Sequence, residues 1–148
     1  SQLFNSTVYD EIAFGPRQLG LTEEEVSLRV QDTLSLLKIE DLRNRVPYQL
    51  SGGEKKKVAF ASIMVTNPDV YILDEPFNNL SKEYEEFFRE LLHELHSAGK
   101  TIIMSAHHFK HLHHEKADVL LFEDGKADFF PAQEVLNNEQ VIERLSHY

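Results

Sequence analysis

The chain has 148 residues, 41% of them hydrophobic and 27% charged, which is the make-up of a soluble globular domain with a sizeable core. Its formal net charge of −10 argues against a nucleic-acid surface, where a basic footprint is expected, and leaves Lys55-Lys56-Lys57 as one small basic patch. Without cysteine there is neither a disulfide framework nor a thiolate metal site, as suits a reducing interior, and no apolar run approaches the roughly 18 residues of a membrane span.

The chain opens at Ser1-Gln2-Leu3-Phe4 with no initiator Met and no targeting segment, and reads as a piece of a longer chain. Residues 1–20 are mixed, with Gly15-Pro16 predicted to break them and Gly20 to close them. Thr22-Glu23-Glu24-Glu25 is a capping box, in which the Thr22 hydroxyl and the Glu25 carboxylate satisfy each other's free amides. The helix it opens carries Val26, Val30, Leu34 and Leu37 on one stripe. Pro47 then breaks the chain ahead of Leu50-Ser51-Gly52-Gly53-Glu54. There Ser51 and Glu54 form a second capping box, opening a helix to about Thr66, before Pro68.

Asp69 to Asp74 is a short strand, β-branched and aromatic; its lack of alternation predicts burial on both faces. Ser81 caps a long helix whose Tyr84, Phe87, Phe88, Leu91, Leu92 and Leu95 read as core packing, and Gly99 ends it. Thr101 to Ser105 and Asp118 to Phe122 read as two further buried strands, and Asp124-Gly125 as a tight turn into Ala127 to Phe130. The tail from Gln133 is helical with an interruption at Asn137-Asn138. Strands alternating with helices predict a parallel α/β sheet.

Two segments carry chemistry. A helix start such as Ser51-Gly52-Gly53-Glu54 exposes amides without intrahelical partners and a partial positive charge, which attracts a phosphate. Asp74-Glu75 ends an apolar strand, where the first carboxylate can hold Mg²⁺ and the second can polarise a water. A phosphate cradle followed by a metal-and-base strand points to nucleotide hydrolysis. Against that, no G-x-x-x-x-G-K-[ST] loop occurs in the chain. His107, His108, His111, His113 and His114 include helical spacings of three and four. No carboxylate or thiolate completes a metal set with them, so a solvated polar helix is the better reading.

In this order the segments resemble the ATP-binding-cassette (ABC) ATPases, and within them the subunits of cobalt, nickel and energy-coupling-factor importers. Leu50 to Glu54 looks like the signature motif, Val70 to Glu75 like the Walker B strand, Gln2 like the Q-loop glutamine and His107 like the switch histidine. Val8 to Pro16 is similar to the segment after the Q-loop in the cobalt-type subgroup. The resemblance implies an incomplete P-loop NTPase-like α/β domain: parallel core strands and a helical subdomain without the P-loop half. Its parts would be residues 1–66 (Q-loop segment, helical subdomain and signature helix), 67–130 (core strands and helices) and 131–148 (helical tail).

By the same resemblance ATP and Mg²⁺ are the cofactors. Glu75 would be the catalytic base, Asp74 the Mg²⁺ carboxylate and His107 the γ-phosphate sensor. Gln2 would contact Mg²⁺ or the attacking water. Ser51, Gly52, Gly53 and Glu54 would serve the ATP of an opposite subunit in a head-to-tail dimer. Residues 3–20 would lie near an integral membrane subunit, placing the protein on the cytoplasmic face of the membrane, with no nucleic acid among its partners.

Departures from the family pattern are the missing Walker A loop, Ser81 where a Leu-Asp pair is common, and His108 where Asp is common. Two alternatives follow: a degenerate half-site module that lends its signature to a partner's ATP, and a DNA-maintenance ATPase, which the short stretch between Gln2 and Leu50 opposes. In the family the Walker A strand lies between the two strands that are Thr101–Ser105 and Asp118–Phe122 here. The chain is therefore expected to leave a gap, close those strands on each other, or recruit a strand from another copy, and recruitment or rearrangement is the favoured outcome.

Overall fold

The structure, a computed structural model, describes residues 7–111 and 116–148. They divide into two compact units, one of residues 7–71 and 79–102 and the other of 72–78 and 103–148.

The first unit begins with α1, Val8–Gln18, opened by a capping box between Thr7 and Asp10. Val8, Ile12, Ala13 and Pro16 recur on the buried face of this helix. The expected break at Gly15-Pro16 does not occur, because Pro16 sits in the last turn and forfeits only one amide there, and its buried ring packs as an apolar side chain. Gly15 is needed for a close approach: a Cβ at this position would lie 2.8 Å from the Thr66 methyl. Helix α2, Glu23–Leu36, opens on the Thr22–Glu25 capping box, and Val26, Val30, Leu34 and Leu37 are fully buried, as their spacing predicts.

After two 3₁₀ turns, Glu40–Leu42 and Pro47–Gln49, α3 runs over Gly52–Met64. Asn67, at φ 52°, turns the chain out of it ahead of Pro68. Phe60 of α3 stacks on Tyr71, with centroids 5.8 Å apart, and meets Phe88 edge-on, also at 5.8 Å. Phe88 belongs to α4, Lys82–Ser97, which buries Phe88, Leu91 and Leu92 and ends at Gly99, φ 94°. This aromatic cluster ties the signature-like helix to α4.

Strand β1, Val70–Asp74, pairs with β2, Thr101–Ser105, in a two-stranded sheet. The Thr101 amide meets the Asp69 carbonyl at one end, and Ser105 meets Asp74 and Glu75 at the other, so the strands run parallel with α4 as the crossover.

The second unit holds the carboxyl end of that sheet and a hairpin of β3, Val119–Glu123, and β4, Lys126–Phe130. Asp124 and Gly125 both take positive φ, 49° and 74°, which makes the two-residue turn expected of this dipeptide. The tail folds as α5, Ala132–Asn137, and α6, Glu139–Leu145, and the Asn138 side chain caps the second at the anticipated interruption. Phe109, Val119, Phe130, Val135 and Leu145 form the core of this unit. Outside it, Arg144 pairs with Glu123 and Asp128.

One expectation about the strands needs correction. None of the three is buried on both faces: Ile72 is 75% and Phe122 73% exposed, and β2 alternates exposed and half-buried positions. Alternate side chains of a strand point to opposite faces, and in β1 the exposed Val70, Ile72 and Asp74 alternate with the buried Tyr71 and Leu73. Of the three outcomes open to Thr101–Ser105 and Asp118–Phe122, closure on each other is not the one adopted, for β2 and β3 belong to different sheets, and the second sheet is antiparallel.

Candidate functional site

In the first unit the Ser51 turn is built by its own capping box. The Ser51 hydroxyl accepts from the Glu54 amide at 3.2 Å, and the Glu54 carboxylate accepts from the Ser51 amide at 3.0 Å. That amide holds the Glu54 carboxyl below its ordinary range, opposed by slight burial and helped by the Ser51 side chain and the charges of Arg45 and Lys57. The two glycines differ. A Cβ at Gly52 would meet open space, whereas one at Gly53 would lie 2.7 Å from the Tyr84 ring. The first glycine leaves the helix start open to a ligand, and the second lets α3 approach α4. Lys57 lies over the Phe87 ring at 4.1 Å and the Tyr84 ring at 5.2 Å. Burial, followed by the charge of Lys38, pushes the pKa of this ammonium down.

Asp74, Glu75 and His107 come together in the second unit. β1 ends at Asp74, and Glu75 immediately leaves the extended conformation for φ 46°. A left-handed backbone at a non-glycine residue costs about 1–3 kcal/mol and persists only where its surroundings hold it. Several contacts hold this one, among them the Asn78 amide, which donates to the Glu75 carbonyl at 3.1 Å. The Glu75 amide donates to Ser105 Oγ at 3.1 Å, and His107 Nε2 donates to Glu75 Oε1 at 2.8 Å. Ser105 in turn donates its hydroxyl to Asp74 Oδ1 at 2.5 Å. The Glu75 side chain is 28% exposed and that of His107 83%, so the pair sits at the rim of a shallow concavity also lined by Pro76, Asn78, Ser105 and Ala106.

A backbone-strained carboxylate paired with an imidazole beside a second carboxylate can polarise a water and present hard oxygen donors to a small divalent cation. The residues therefore fit Mg²⁺, which takes one or two protein carboxylates and completes its shell from water and phosphate.

The remaining expected residues fall elsewhere. Gln2, His113 and His114 lie outside the described residues, as does the side chain of His111. His108 Nδ1 meets the Tyr148 carbonyl oxygen at 2.9 Å. Ser81, which departs from the family pattern, caps α4 by accepting from the Tyr84 amide at 3.3 Å. Sequence reasoning missed Ser105; the available signal was a hydroxyl closing the apolar run Ile102-Ile103-Met104, two residues before His107.

Known proteins are similar to this chain in sequence and fold. A nickel import ATP-binding protein, LarO of Lactiplantibacillus plantarum, is 52% identical over 109 residues, covering 74% of this chain and 45% of the relative. The energy-coupling factor transporter ATP-binding protein EcfA of Carboxydothermus hydrogenoformans is 35% identical over 143 residues, 97% of this chain and 53% of its own length. The solved structure of cbiO1 from Clostridium perfringens, part of the ABC transporter complex cbiONQ, superposes with a TM-score of 0.78 at 32% identity, covering 97% of this chain and 57% of that one. The chain thus spans about half the length of the curated relatives it matches. The family model described as ABC transporter matches residues 1–78, more than half of the 148, and the chain belongs to that family.

Proposed function

We propose that the chain is the catalytic and signature-bearing part of the ATP-hydrolysing subunit of an importer of the cobalt, nickel or energy-coupling-factor type. The observation that carries this reading is the Glu75–His107 pair at 2.8 Å, set beside Asp74 at the end of β1. Relatives named for nickel import and for energy-coupling factor transport support the subgroup.

When bound, Mg·ATP supplies the phosphoryl group and the cation that neutralises its charge. The chain's own residues do the rest. Asp74 offers a carboxylate to the cation. Glu75, fixed in direction by its backbone and by His107, draws a proton from the attacking water. His107, held to Glu75 through Nε2, would serve as the sensor of the γ-phosphate. Ser51, Gly52, Gly53 and Glu54 present a helix start to the ATP of an opposite subunit, and Gln2 links the catalytic site to a membrane-embedded partner. Among the described residues no helix is long and apolar enough to cross a membrane, so contact with the cytoplasmic face runs through that partner.

The sequence holds no G-x-x-x-x-G-K-[ST] loop to grip a nucleotide. The 148-residue chain by itself is therefore expected to show no ATP turnover above background and no tight ATP binding. A steady-state assay tests this, and turnover that Glu75→Gln abolishes would overturn it. The second reading, a half-site that only lends Ser51–Glu54 to a partner's ATP, draws on Ser81, which is spent as a helix cap where the family commonly carries a carboxylate.

A further inference from the structure

One hydroxyl, that of Ser105, joins the two carboxylate residues of the site. It donates to Asp74 Oδ1 at 2.5 Å and accepts from the Glu75 amide at 3.1 Å. A serine hydroxyl has one proton to give and lone pairs to receive, so these two contacts fix its rotor in one sense. The proton must point at the carboxylate and the lone pair at the amide. Each contact constrains a different thing. The first occupies one oxygen of Asp74 and so restricts rotation of that carboxylate. The second ties the Glu75 backbone while it is at φ 46°, the conformation that directs its side chain to His107.

Neither Asp74 nor Glu75 supplies this coupling itself. They are adjacent in sequence, but β1 ends between them; the Asn78 amide holds the Glu75 carbonyl at 3.1 Å, and the Glu75 amide on the other side is held by Ser105. The anchor comes from the end of the neighbouring strand β2, and His107 follows two residues later on the same segment. A single side chain thus sets the direction of the cation-holding carboxylate, the base and, through its own backbone, the imidazole. Alanine at 105 is expected to leave the fold of the strand intact, because the position is exposed.

We infer that Ser105 is a positioning residue for nucleotide hydrolysis, coupling the orientation of Asp74 to that of Glu75. This rests on the ATPase reading above, and the test separates the two. In the nucleotide-free chain, Ser105→Ala is expected to speed hydrogen exchange of the Glu75 amide by about fivefold or more, the worth of one neutral hydrogen bond. Ser105→Thr, which keeps the hydroxyl, should restore protection.

In the complete importer ATPase that contains the chain, Ser105→Ala should lower kcat about 10–100-fold, as loss of a partner that orients a metal ligand does, with KM for ATP nearly unchanged. Ser105→Thr should recover most of that loss. If Glu75→Gln abolishes turnover while Ser105→Ala leaves both kcat and Glu75 exchange at wild-type values, the Ser105 inference is wrong and the ATPase reading stands. Faster Glu75 exchange without a fall in kcat would equally overturn it. If Glu75→Gln leaves turnover intact, the ATPase reading itself fails.

Discussion

At Glu75 the chain trades conformational comfort for direction. Its left-handed backbone, φ 46°, is one that L-residues avoid at a cost of roughly 1–2 kcal/mol, because the Cβ crowds the following carbonyl. Glycine pays no such cost. Glu75→Gly should therefore unfold at a higher urea midpoint than Glu75→Ala, by about 1 kcal/mol in unfolding free energy, although both lose the carboxylate. Equal stability of the two variants would mean that the backbone at 75 is unstrained in solution. Which residues gather at the end of β1 was partly legible at this scale: Asp74 and Glu75 stand out as two carboxylates closing an apolar strand, and the family resemblance adds His107, which pairs with Glu75. What the letters did not carry was the coupling through Ser105, because a hydroxyl at a strand end has no pattern to distinguish it until the pairing of β1 with β2 brings it to Asp74.

At the scale of elements, local chemistry decided most of the outcome. Helices α1, α2 and α3 each begin with a reciprocal capping box, and the second and third can be read directly from Thr22-x-x-Glu25 and Ser51-x-x-Glu54. The first was hidden because Asp10 stands in for the usual glutamate and because Gly15-Pro16 reads as a break. A proline in a last turn costs little, so the helix runs through it. The strands were misread for a different reason. A continuous apolar run signals two covered faces only when layers exist to cover both, and in β1 exposed and buried residues alternate.

The caps also carry a pH dependence. Glu54 titrates below its ordinary range mainly because its carboxylate accepts from the Ser51 amide, so its stabilisation is present above the unfolded-state pKa and is lost as pH falls through the folded one. Glu54→Gln retains a capping oxygen without the titration. The stability advantage of the wild type over Glu54→Gln, followed by urea unfolding, should therefore shrink as pH falls from neutrality through the carboxylate range. An advantage that stays constant over that range would show that the Glu54 carboxylate contributes nothing as an anion.

At the scale of the molecule, the chain folds as two units that divide the chemistry between them. One carries the Ser51 helix start and the other the Asp74, Glu75 and His107 group. Family membership was legible in the sequence because the order of motifs survives in the primary chain. The two separate sheets were not, because which strands pair depends on what else is available to pair with them. Whether Glu75 activates water at a nucleotide site is decided by supplying a P-loop. The chain is fused behind a G-x-x-x-x-G-K-[ST] segment of an ABC ATPase, and turnover and gel-filtration mobility with ATP are measured for wild type and Glu75→Gln. The expected result is turnover in the wild type, a loss of about 10²–10⁴-fold in the variant, and an ATP-dependent dimer that persists only in the variant. A Glu75→Gln variant that hydrolyses ATP at the wild-type rate and stays monomeric would contradict the account.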